Sequence, residues 1–296
     1  MVVRLAEIFG HPQPPAKVTQ KQFDGFQTEL EELSRKPWHE IGRDDYWYYL
    51  LDLCYVPLQQ DLFDYVFPAF LIRWWEGQLN RMGGPESETD FYRAIEHGEC
   101  FYSRMSDARR EAVYAWMTDA YVEGIDAWSG SLSVTHSSGG PDDLHGPMWS
   151  LHALGQSVPI IPAIWDQLCQ IRTAGRAQFW LVLIAGIAFP PNACPWVPPW
   201  TPTEGGGGVY AIGSCADIGH GYLSTNLEFI KSRATAELLA SLLNTAVARF
   251  IHPVEREWAI AVTERVRVDP TEFHRRLDRF LEFLGKPHLG SATDDL

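Results

Sequence analysis

The residues best suited by type to chemistry lie in Gly213-Ser214-Cys215-Ala216-Asp217-Ile218-Gly219-His220, where a thiol and an imidazole share a stretch of small residues that leaves room for a substrate. With Cys215 as nucleophile and His220 as its base, the stretch would serve a hydrolase or transferase. Catalytic partners are as a rule brought together by the fold from distant positions, so closeness in sequence adds little. A free cysteine usually behaves as a small hydrophobe. Cys215 is therefore read as structural, and the Cys215/His220 enzyme stands as the alternative.

Metal chemistry finds less support. Glu96-His97-Gly98-Glu99-Cys100 gathers four potential ligands in five residues, but neighbours on a helix diverge and a metal site needs three or four convergent groups. No HExxH motif occurs among the ten histidines, although His136, His145 and His152 cluster near mid-chain. The run Gly205-Gly206-Gly207-Gly208 lacks the lysine of a phosphate-binding loop. The pairs Asp44/Asp45 and Asp142/Asp143 suit capping and turns better than acid/base work. Neither a metal nor a cofactor is expected.

Charge is the stronger signal. The chain has 296 residues with 24 Lys+Arg against 38 Asp+Glu, a net charge of -14 that repels a phosphate backbone, so nucleic acid is not expected as a direct ligand. The imbalance is uneven: residues 1–150 carry 12 basic and 24 acidic residues, and residues 151–296 carry 12 and 14. A one-signed field speeds encounter with an oppositely charged partner. Glu29, Glu31, Glu32, Asp44 and Asp45 are the carboxylates read as steering groups, and a basic protein is the expected partner.

The elements that would position these residues are mainly helical. Thr19 and Gln22 read as a capping box ahead of Phe23, Phe26, Leu30 and Leu33, which recur at helical spacing up to Pro37. A second helix follows from Asp44 to Pro57. From Gln60 to Asn80 the pattern stays helical, with a break expected at Pro68. Ser106 caps a long helix carrying Val113, Trp116, Met117, Ala120 and Tyr121. Periodicity then fades into Ser, Gly, Pro, Asp and His, so residues 128–157 are expected as a linker or surface loop.

Beyond it, the run FWLVLIAGIAF from Phe179 to Phe189 is a buried helix or a buried strand, which periodicity cannot separate, and at eleven residues it is too short to cross a bilayer. The stretch PPNACPWVPPWTPTEGGGG cannot be regular helix and places Trp196 and Trp200 as aromatic anchors, either packed on the body or meeting a partner. Thr225 with Glu228 reads as a further capping box. Leucine-rich helices follow, one starting at Pro253 and another capped by Asp269 with Pro270 at its first position. The expected fold is a mainly α, two-lobed helical bundle: an acidic lobe over 1–127, the 128–157 connection, and a second mostly helical lobe over 158–296 with the long Pro/Trp/Gly loop.

Five scattered cysteines without a CxxC pair fit a reducing compartment, and the opening MVVRLAE lacks an apolar signal region. An unprocessed cytoplasmic protein, free of membrane, is expected. The order of DYWYYLLDLCYVPLQQDLFDYVFPAFLIRWWEGQL, PWVPPWTPTEGGGG and YLSTNLEFI resembles large acidic bacterial proteins found beside polymorphic toxins as immunity proteins. The resemblance implies a protein that binds and occludes a toxin, and it carries over no individual functional residue.

Overall fold

The structure is a computed structural model that describes residues 1–22, 25–42, 45, 49, 52, 53, 56–80, 91, 92, 95, 96, 99–132, 145–190, 193, 194 and 221–286. Its regular elements are helices: α1 (Val2–Ile8), α2 (Gln27–Leu33), α3 (Gln60–Asn80), α4 (Cys100–Ser103), α5 (Asp107–Asp126), α6 (His145–Ser157), α7 (Ile161–Leu168), α8 (Ala174–Ala188), α9 (Ser224–Arg233), α10 (Ala236–Ala246), α11 (Pro253–Val268) and α12 (Pro270–Gly285). No strand occurs among the described residues. The mainly α reading is correct.

The apolar run resolves as helix α8. Every residue of α8 after Ala174 is buried, because α5, α10, α11 and α12 pack around it. A helix satisfies its backbone groups internally, so it can be enclosed by other helices without orphaning amides. Its start is fixed by Thr173, whose hydroxyl accepts a hydrogen bond from the Arg176 amide at 3.3 Å. Ser106 and Asp269 cap α5 and α12 in the same way, as their sequence signals indicate.

Helix α3 runs through Pro68 without ending. The expected break is absent because rings on both sides of Pro68 are held by one cluster. Phe67 stacks on Phe63 at 4.7 Å and meets Phe70 and Phe101 edge-on at 6.1 and 6.2 Å. That packing, together with the contact of α3 along α5, offsets the roughly 3 kcal/mol an internal proline costs a helix.

The described part of the expected 128–157 linker is not a loop throughout, and residues 133–144 lie outside the described residues. Trp128 and Leu132 are buried, and residues 145–157 form α6, with Met148, Trp149, Ala153 and Leu154 in the core. The helix escapes periodicity because Ser150, His152 and Gln156 are buried as well. Ser150 accepts a hydrogen bond from Gln78 of α3 at 3.1 Å. The Thr19/Gln22 and Thr225/Glu228 capping boxes do not form. Gly25, at φ +80, sits just before α2, which begins only at Gln27, and α9 begins at Ser224 without a side-chain cap.

Close approach of α8 to the end of α5 depends on Gly175. A β-carbon there would lie 1.9 Å from the Ile125 carbonyl oxygen. Gly175→Ala is expected to lower unfolding free energy by ~3 kcal/mol, read from urea denaturation, since the clash is with backbone and cannot be relieved by a rotamer. An unchanged urea midpoint would show that the two helices can separate at no cost.

Candidate functional site

On α2, Leu30 and Leu33 point into the core and Glu29 and Glu32 point to solvent. Neither of these glutamates has an ion-pair partner among the described residues. Glu31 is half-buried and lies 3.7 Å from Arg35 one turn on. Asp45, unlike Glu29 and Glu32, is held by internal contacts. Its Oδ2 accepts from Lys36 Nζ at 2.5 Å and from the Gly42 amide at 2.6 Å, which ties the chain after the Trp38–Glu40 turn back on itself. Asp44, Trp196, Trp200, Cys215 and His220 lie outside the described residues.

The orientation of α2 is set by a polar latch that sequence reasoning did not single out. Gln20 and Gln22, two residues apart, aim both carboxamides at one buried carboxylate. Gln20 Nε2 donates to Asp52 Oδ2 and Gln22 Nε2 to Asp52 Oδ1, each at 2.7 Å. Gln27, the first residue of α2, accepts from the Gln22 amide and donates to the Gln20 carbonyl, both at 3.2 Å. Gln59 completes the latch by accepting from the Thr19 amide at 2.6 Å and donating to the Lys17 carbonyl at 2.7 Å. Glu29 and Glu32 are thus presented by a helix whose first turn is bonded to a fixed arm.

A second buried carboxylate, Glu255 at the start of α11, accepts from the Leu132 amide at 3.0 Å and from Gln178 Nε2 at 2.7 Å. Gln178 also donates to the Gly130 carbonyl at 2.8 Å. These bonds pin the segment after α5 between α8 and α11. The legible signal was the pair of polar residues, Arg176 and Gln178, at the head of an apolar run.

Among the described thiols, Cys100 and Cys194 are buried and Cys169 is partly buried. Burial, reinforced by the nearby Asp166 charge, pushes the Cys169 thiol up to about 11, which leaves little thiolate at neutral pH. Among the described residues, no group of three or more His, Cys, Asp and Glu side chains could hold a metal ion. No described helix is long and apolar enough to cross a membrane.

An apolar cleft lies between α6, α7, α8, α9 and α12. Its edge is formed by Tyr222, whose amide donates to the Leu284 carbonyl at 2.8 Å while the next amide, of Leu223, donates to the Gly155 carbonyl at 3.0 Å. The Tyr222 ring fits because residue 155 has no side chain; a β-carbon there would lie 2.3 Å from the ring. His152 backs the same ring at a centroid distance of 5.3 Å.

The Asp45 contact generates a pH prediction. Partial burial alone would raise this carboxyl, but the Lys36 and Gly42 hydrogen bonds outweigh it and hold the pKa below the ordinary value. The stabilisation is therefore present above the unfolded pKa of about 3.9 and is lost as pH falls through the lower folded value. Asp45→Asn is expected to cost about 0.5–1 kcal/mol near neutral pH, small because the pair is solvent-screened. The difference from wild type in urea midpoint should shrink as the pH is taken down to about 2–3, and a constant difference over that range would contradict the assignment.

No protein-family model matches the chain, and neither a curated protein nor a solved structure is significantly similar to it.

Proposed function

We propose that this chain is a non-catalytic protein-binding protein of the immunity type, which binds and occludes a basic effector or toxin in the cytoplasm through the acidic surface of its N-terminal half. The observation that carries the reading is the pairing of charge with geometry on α2. Glu29 and Glu32 are exposed, free of ion pairs among the described residues, and mounted on a helix anchored by Leu30 and Leu33. They belong to the half of the chain with 24 acidic against 12 basic residues. A carboxylate paired internally with a cation, as Asp45 is with Lys36, contributes less to an outward field than carboxylates left in water. A basic surface approaching α2 is drawn in before contact, and apolar and aromatic groups then set how long it stays.

The test uses a partner captured from the source cells by the wild-type chain and then purified. Its association rate constant should fall steeply as NaCl is raised from about 0.05 to 0.5 M. The Glu29→Lys/Glu32→Lys double variant should associate roughly threefold to tenfold more slowly at low salt, with dissociation little changed. A salt-independent association rate, or equal rates for wild type and the double variant, would contradict the reading.

A further inference from the structure

The apolar cleft between α6, α7, α8, α9 and α12 holds a cavity of about 30 Å3. One water needs roughly 10–15 Å3 on the same measure, so the space suits a single molecule of about two heavy atoms and excludes anything with the length of a hydrocarbon chain. Its lining includes Trp165, Phe179, Trp180, Leu183, Tyr222 and Phe280, each 9% exposed or less, and is almost wholly carbon. A buried water requires about two to four polar partners, which such a wall does not supply. An apolar molecule of the same size instead gains the dispersion contacts that the space forfeits.

The surrounding rings are held where they stand, so the space does not close by collapse. Trp180 donates its indole N–H to the Leu168 carbonyl at 2.9 Å, and it meets Trp165 and Phe179 edge-on at 4.8 and 5.4 Å. Moving Trp180 inward would break that hydrogen bond and both edge-on contacts. Tyr222 is fixed at the other side by the backbone bonds to Leu284 and Gly155 that flank it. Its ring already fills the place that a side chain at residue 155 would take. The cavity is therefore formed in advance of any occupant, which needs no rearrangement of the walls to enter it.

We propose that this cavity binds a dissolved apolar gas of the dioxygen class, one molecule at a time, beside Trp165 and Trp180. The site is separate from the acidic surface of α2, so the two readings stand or fall independently. The probes are xenon and dioxygen, added under stepped gas pressure to the full chain with carbon-13-labelled isoleucine and leucine methyls. The Ile164 and Leu183 methyls, which line the cavity, should shift saturably with xenon, while the equally buried Leu30 methyls of α2 stay in place. Dioxygen is paramagnetic and should broaden the Ile164 resonance more than that of Leu30. Benzene, too large for the space, should shift neither cavity methyl. Leu183→Phe, which fills the cavity, should abolish the xenon shift at Ile164. If that variant fails to fold, Ile230→Phe fills the same space from α9 and is read in its place. Absence of a saturable xenon shift in the wild type overturns the proposal. So do equal broadening of Ile164 and Leu30 by dioxygen, a response of the cavity methyls to benzene, and a xenon shift that survives in the filled variant.

Discussion

A helix that is apolar on all sides can be enclosed only if its polar end is satisfied where it enters the core, and Arg176 does this for α8. Its guanidinium grips Asp126 with two hydrogen bonds, Nε to Oδ1 at 2.7 Å and Nη2 to Oδ2 at 2.6 Å. Nη1 meanwhile donates to the carbonyls of Gln167 and Gln170 at 2.6 and 2.9 Å. Thr173, which caps the helix, also donates to Asp126 Oδ1 at 2.7 Å. Desolvating an ion pair is costly, and bidentate geometry with carbonyls on the remaining donors is the arrangement that offsets it. The same residues join the end of α5, the end of α7 and the start of α8. With α8 seated there, α10, α11 and α12 acquire a common surface on which to pack.

The other buried polar groups repeat this logic with amides in place of a guanidinium. Gln20 and Gln22 close on Asp52, Gln178 joins Glu255 to the Gly130 carbonyl, and Gln78 reaches Ser150. Asn226 donates to the Gly155 and Val158 carbonyls at 2.9 and 2.7 Å, which fixes the start of α9 against the end of α6. Each bond links segments far apart in sequence, where an unmet buried donor or acceptor would be expensive. These interior polar residues hold elements in place. They also connect architecture to surface chemistry: the Asp52 latch orients α2 and its glutamates, and the Asn226 contacts place α9, whose Ile230 lines the apolar cleft.

Local signals in the sequence located several elements, and they did so where the determining physics is itself local. Ser106 and Asp269 accept hydrogen bonds from amides three residues on, so the caps of α5 and α12 are readable from a few letters. The stripe Phe273, Leu277, Phe280, Leu281 and Leu284 marks the buried face of α12 because side chains three and four apart share one side of a helix. Composition likewise supplied the acidic imbalance of the first half, since formal charge needs no coordinates.

Tertiary structure decided whatever depended on partners remote in the chain. Whether Phe179–Ala188 was helix or strand turned on the helices that surround it, and whether Pro68 ended α3 turned on rings gathered from α3 and α4. Residues 145–157 look polar because the groups that satisfy Ser150 and support His152 come from α3 and from Tyr222. Asp45 and Glu29 are alike as letters; only the fold gave one to Lys36 and the other to water. A residue's type sets which bonds it can make, and the packing of distant segments sets which of them are made.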